Sequence, residues 1–188
     1  QENMERAFDA ALSYDKEKID KVYEVENTIN NMEKLITEYL VKLSNLPLTE
    51  DQHMVVNDLF YSVSDIERVG DHIENVAELV DVKEGTPKIE FSEQALKDLE
   101  QIMDLVMKSF VFAMSAREHS DITDATKVVK YEDMVDNMEE ELREQHIERL
   151  SKQLCKPTNG VVFLDIISNL ERISDHAYNL AGYVMSEE

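Results

Sequence analysis

Apolar positions along this chain recur at steps of three and four, the spacing of helix faces that pack against one another. The pattern is clearest at Leu59, Val63, Ile66, Gly70, Ile73, Ala77 and Val80, and again at Phe163, Ile167, Leu170, Ser174, Ala177, Ala181 and Val184. Small residues on both seams let helices approach closely. Six helices follow from the pattern and its punctuation. The first covers 1–14. The second runs from Lys16 to Ser44 and stops at the breaker cluster Ser44-Asn45-Leu46-Pro47. Thr49, with Gln52 three residues on, reads as a capping box for a third helix reaching about Lys83. Gly85-Thr86-Pro87 separates the halves. Ser92 caps a fourth helix ending near His119, and Asp121 opens a fifth ending near Leu154. Pro157-Thr158-Asn159-Gly160 is expected to break the chain before the sixth.

The third and sixth helices are copies. Asp65–Ala77 aligns without gaps to Asn169–Ala181, so that Glu67, Arg68, Asp71, His72, Asn75 and Ala77 each recur 104 positions later. The second and fifth helices repeat as well, with Glu26–Glu33 matching Glu132–Glu139 at a spacing of 106. The expected fold is therefore all-α, two tandem three-helix bundles over residues 1–84 and 92–188 joined by a short connection at 85–91. By the same register Gln1 corresponds to Met107, well inside the fourth helix. The first helix is expected to be about a dozen residues shorter than its counterpart, with the natural chain extending further toward its N-terminus.

Composition narrows the function classes. Only four Gly and three Pro interrupt the chain, which favours helix. Acidic side chains number 41 against 19 basic ones, a formal charge of −22. Nucleic acid is excluded as a partner, because phosphate-backbone binding needs a basic face. Cys155 is the single cysteine, so no intrachain disulfide forms. No apolar run approaches the ~20 residues needed to span a bilayer.

Clustered carboxylates change the picture more than net charge does. Residues four apart share a helix face. Glu67 with Asp71, Glu171 with Asp175 and Glu132 with Asp136 therefore each present two acids side by side, just off an apolar seam. Like charges at this spacing destabilise a bare helix by a few tenths of a kcal/mol, and a bound cation reverses the sign. Pairs on neighbouring helices would direct about four carboxylates at one point. Such oxygen donors suit Mg²⁺, Mn²⁺ or iron. The competing reading is a solvated acidic face, which a chain this acidic produces often by chance. Arg68 and Arg172 are expected to neutralise neighbouring acids. His72 and His176 fall on another face, as structural hydrogen-bonding groups, exposed rings or metal ligands. Asn75 and Asn179 are expected to bond across a helix interface, and Cys155 to be structural. Catalytic motifs are missing. A ferritin-like site needs Glu-x-x-His on two helices, and only Glu50-x-x-His53 occurs. No Gly-rich phosphate loop, His-Glu-x-x-His or nucleophile elbow is present.

The doubled Glu-Arg-x-x-Asp-His-x-x-Asn signature on the third helix of each unit resembles the PhoU family of phosphate-homeostasis proteins. Leu142-Arg-Glu-Gln-His-Ile-Glu-Arg-Leu150, then Cys155, Gly160 and Phe163-Leu-Asp165, resembles more narrowly the PhoU-like cytoplasmic domain at the C-terminal end of bacterial sodium/phosphate cotransporters. The resemblance implies a regulatory, non-catalytic cytoplasmic domain. Its partner would be a membrane phosphate transporter, which the same polypeptide could carry upstream, and it would have the capacity to form a homo-oligomer. It also implies metal ions (iron, manganese, magnesium or zinc) held by Glu132, Asp136, Glu171 and Asp175 in the second unit, and by Glu26, Glu67 and Asp71 in the first. The position matching Asp136 is Asn30, so the first set is expected to be weaker or empty. The alternatives are a metal-dependent hydrolase or metal-storage protein, and a purely structural helical adaptor.

Overall fold

A computed structural model describes residues 1–82 and 88–186. It contains six helices and, among the described residues, no strand: α1 (Glu2–Leu12), α2 (Lys16–Ser44), α3 (Glu50–Val80), α4 (Glu93–His119), α5 (Ile122–Ser151) and α6 (Pro157–Met185). Local chemistry sets most of these boundaries. The Asp15 carboxylate accepts from the backbone N–H groups of Glu17 and Lys18, which starts α2. Thr49 and Gln52 form the reciprocal capping box of α3. Ser92 caps α4 through Ala95 N–H, and Asp121 caps α5 through Thr123 and Asp124. Ser120 adopts φ 51° and ends α4 in a left-handed turn.

Several expected ends shift. The first helix stops at Leu12, α3 stops at Val80 and α5 at Ser151. The larger correction is at Pro157. The cluster 157–160 is the first turn of α6 and not a break. Proline at the first helical position gives up an N–H that would have no partner there, and its fixed φ suits the helix. The expected separator Gly85-Thr86-Pro87 lies outside the described residues, as does the expected end of α3 at Lys83. Residues 88–91 are not helical.

The two copies of the third helix, α3 and α6, lie side by side at the centre. Among the described residues α2 packs on α1 and α3, and α5 packs on α4 and α6. One continuous core joins the halves, running from Met4, Phe8 and Val22 through Ile73, Leu99 and Ile102 to Phe163 and Ile173. No helix among the described residues is long and apolar enough to cross a membrane.

The halves differ in what covers their seams. In α6 the whole seam is buried, with Phe163, Ile167 and Leu170 at 0% exposure beneath α4. In α3 the equivalent Leu59 is 38% exposed, and Val63 and Ile66 are half-buried. The cause is length: α1 has 11 residues and α4 has 27. The far ends of α2 and α3 therefore carry exposed Leu35, Tyr39, Met54 and Val55.

Candidate functional site

The second-repeat acids converge. One ligand oxygen each from Glu132, Asp136 and Asp175 lies within 4.8 Å of the others. Helical spacing explains it. Glu132 and Asp136 stand one turn apart on α5, and α6 packs alongside with Asp175 facing them. Burial raises the Glu132 carboxyl above its ordinary range, and Asp136, Asp133, Asp175 and Glu171 raise it further. Asp136 rises through burial and then through Asp175, Asp133 and Glu139. Mutual repulsion of this kind is relieved by a cation, and an all-carboxylate donor set fits a hard divalent ion. Glu171 stands beside the trio but outside it, with its Oε2 3.5 Å from Arg172 Nε.

The first-repeat residues do not come together in this way. Among the described residues no group of three ligand atoms forms from Glu26, Glu67 and Asp71. Glu26 is instead swallowed by the helix interface at 1% exposure, and neither carboxyl oxygen has a hydrogen-bond partner among the described residues. It fits because Gly70 lacks a side chain: a Cβ there would lie 2.4 Å from Glu26 Oε2. Burial, followed by the charges of Asp71, Glu74 and Glu67, pushes the Glu26 carboxyl up to about 7. Glu67 is also raised, by burial and then by Asp71 and Glu33, against the opposing effect of Arg68.

The His and Asn positions of the signature serve another purpose. They clasp one repeat to the other across α3 and α6. His176 Nδ1 lies 2.8 Å from Asp65 Oδ1, Asn179 Nδ2 donates to the same oxygen at 3.2 Å, and the Tyr183 hydroxyl donates to Oδ2 at 2.7 Å. The mirror arrangement joins His72 Nδ1 to Asn169 Oδ1 at 2.8 Å, with Asn75 Nδ2 donating to that oxygen at 3.3 Å. The two imidazoles stack between these clasps, 5.7 Å apart. Burial by itself would raise the Asp65 carboxyl. The bonds from His176, Tyr183 and Asn179 outweigh it and hold Asp65 below the usual carboxylate range. His72 is lowered by burial, opposed by its bond to Asn169.

Sequence reasoning anticipated the cross-interface asparagines but not their acceptors. Asp65 and Asn169 occupy matching repeat positions, and that shared short polar side chain was the available signal. His146 was missed as well. It is 4% exposed, stacks on Phe163 at 4.7 Å and places Nε2 3.9 Å from Cys155 Sγ. Gly160 makes room for it, since a Cβ there would meet His146 Nε2 at 2.7 Å.

The model of the PhoU domain family matches residues 1–80 and 99–184. A phosphate-specific transport system accessory protein PhoU homolog 1 from Thermotoga maritima is 29% identical over 88% of this chain and 70% of its own length. A phosphate-specific transport system accessory protein PhoU homolog from Streptococcus pneumoniae is 25% identical over 95% of this chain and 82% of its own. The crystal structure of PhoU from Pseudomonas aeruginosa superposes with a TM-score of 0.88 at 24% identity, covering 98% of this chain and 87% of that one.

Proposed function

This chain belongs to the PhoU domain family, and from that premise we propose that it is a non-catalytic regulatory domain of phosphate homeostasis, acting on a membrane phosphate transporter through protein contacts at the cytoplasmic face. The observation that carries the reading is the similarity, over 88% and 95% of the chain, to proteins named as accessory to phosphate-specific transport systems. The narrower partner, a sodium/phosphate cotransporter, rests on the motif from Leu142 to Asp165 alone. The acidic surface suits a contact role better than capture of free phosphate, which needs basic or helix-terminal donors. Deleting residues 1–188 from the producing cell tests the reading. Phosphate uptake is expected to lose its response to external phosphate, and an unchanged response overturns it.

The carboxylate trio motivates a metal component of the same reading. Glu132, Asp136 and Asp175 would hold a divalent or ferric ion, with Glu171 as an adjoining donor, and the ion would neutralise their repulsion and tie α5 to α6. Elemental analysis after incubation with iron, manganese or zinc is expected to find near-stoichiometric metal in the parent. The double variant Asp136→Asn/Asp175→Asn is expected to lose it. A metal-free parent returns the trio to a solvated acidic face and leaves the regulatory reading in place. Turnover of a phosphate ester with added Mn²⁺ would favour a metal-dependent hydrolase instead.

A further inference from the structure

Arg172 stands beside the second-repeat acids on α6. Its Nε lies 3.5 Å from Glu171 Oε2, and its Nη1 lies 3.4 Å from Asp175 Oδ2. Asp175 is thus claimed twice, once by the guanidinium and once by the trio with Glu132 and Asp136. We propose that Arg172 is the resident counter-cation of the second-repeat carboxylates, and that a divalent ion gains Asp175 only by displacing it. Arg172 is then a positioning residue that sets the affinity threshold of the site. The inference rests on reading the trio as a cation site.

Three observations support it. The guanidinium already stands in for the ion, being a cation seated on one trio member and on the adjoining Glu171. The pairing is displaceable, because the Arg172 side chain is 59% exposed and exposed ion pairs hold weakly. A displaced side chain also has somewhere to go. Arg172 borders a cleft of about 480 Å³ between α3 and α6, shared with Arg68, His72, Asn179 and Asp175 itself, so the guanidinium can swing off the carboxylate without leaving the cleft. The first repeat supplies the contrast. Arg68 makes no close ion pair among the described residues and acts on Glu67 only at longer range, and there the acids do not converge.

Calorimetric titration of the chain with Mn²⁺ tests the inference, using Arg172→Gln, Arg172→Lys and Arg68→Gln beside the parent. Each variant is first checked for native helicity by circular dichroism. Removing one positive charge about one side-chain length from a divalent ion is expected to tighten binding about tenfold. Arg172→Lys keeps the charge and is expected to stay within about threefold of the parent. Arg68→Gln, which removes a charge from the cleft but none from Asp175, is expected to stay within about threefold of the parent. Equal or weaker binding by a folded Arg172→Gln overturns the inference while leaving the cation site standing. Tightening by Arg172→Lys as large as that by Arg172→Gln overturns it too, because charge would not be the cause. A flat titration for both the parent and Arg172→Gln sinks the cation site together with the inference. Binding seen only in Arg172→Gln is its strongest support.

Discussion

Replacing Asp65 with alanine is expected to cost about 2–4 kcal/mol of stability, because one buried acceptor that serves three donors is lost at about 1 kcal/mol or more for each bond. Asp65 is 6% exposed, and it alone receives His176, Asn179 and Tyr183. Alanine would leave the partly buried His176 and Tyr183 without their acceptor, each carrying an unmet desolvation penalty, while the exposed Asn179 turns to water. It would also remove one of the two clasps between the repeats. Asp65→Asn is a different matter. It recreates the Asn169 arrangement, retains an acceptor for His176 and Asn179, and is expected to cost about 1 kcal/mol. Urea unfolding followed by circular dichroism separates the two. A loss below about 1 kcal/mol for Asp65→Ala would mean that water replaces the clasp without penalty.

Glu26 carries the second large effect, and it appears as a pH dependence. Its carboxyl lies at about 7 in the folded chain against an ordinary 4.5. A raised acid binds its proton more tightly folded than unfolded, so the unfolded state binds fewer protons between those values, and stability falls as pH rises. The folded chain is favoured fully below about pH 4.5, and that advantage drains away as pH climbs through 7. Each tenfold difference in proton affinity between the folded and unfolded chain is worth about 1.4 kcal/mol, so the loss from this single group approaches about 3 kcal/mol. Glu26→Gln removes the titration while keeping the shape. The stability of Glu26→Gln relative to the parent, both metal-free, is therefore expected to rise by about 3 kcal/mol between about pH 4.5 and pH 8. A constant offset between the two across that range would show that Glu26 does not titrate anomalously. The amide has its own unsatisfied polar atoms, and that offset cancels from the comparison because it is independent of pH.

These two residues also show how far the amino-acid pattern alone could reach. Helix starts were legible wherever a capping side chain stood at the boundary, as at Thr49, Ser92 and Asp121. The start of α6 was misread because Pro157 is both a helix breaker and a favoured first residue, and only its backbone partners decide between them. The carboxylate pairs were visible through their four-residue spacing. Their fates were not, because those depend on what faces them across a helix interface. Glu26 looks like any surface glutamate until the bare Cα of Gly70 is placed against it. Glu171 and Asp175 look equivalent until α6 packs on α5, which brings Asp175 to Glu132 and Asp136 and leaves Glu171 outside the trio. Asp65 meets its partners 111 to 118 residues away, a separation no local pattern encodes.

The mirrored clasps have a consequence for how this molecule could diverge. Two copies of one unit facing each other through equivalent residues form the same kind of contact as a two-fold homodimer, in which each position meets its symmetry mate's partner. In a true homodimer, any change at residue 65 would appear in both clasps at once. Covalent fusion lifts that constraint. Here one clasp is charged, at Asp65, and the other neutral, at Asn169. The outer acids have separated likewise, with Asn30 in one half where Asp136 stands in the other. Fusion thus lets one half keep a converging carboxylate trio while its twin buries a lone acid, an asymmetry that a dimer of identical subunits could not inherit.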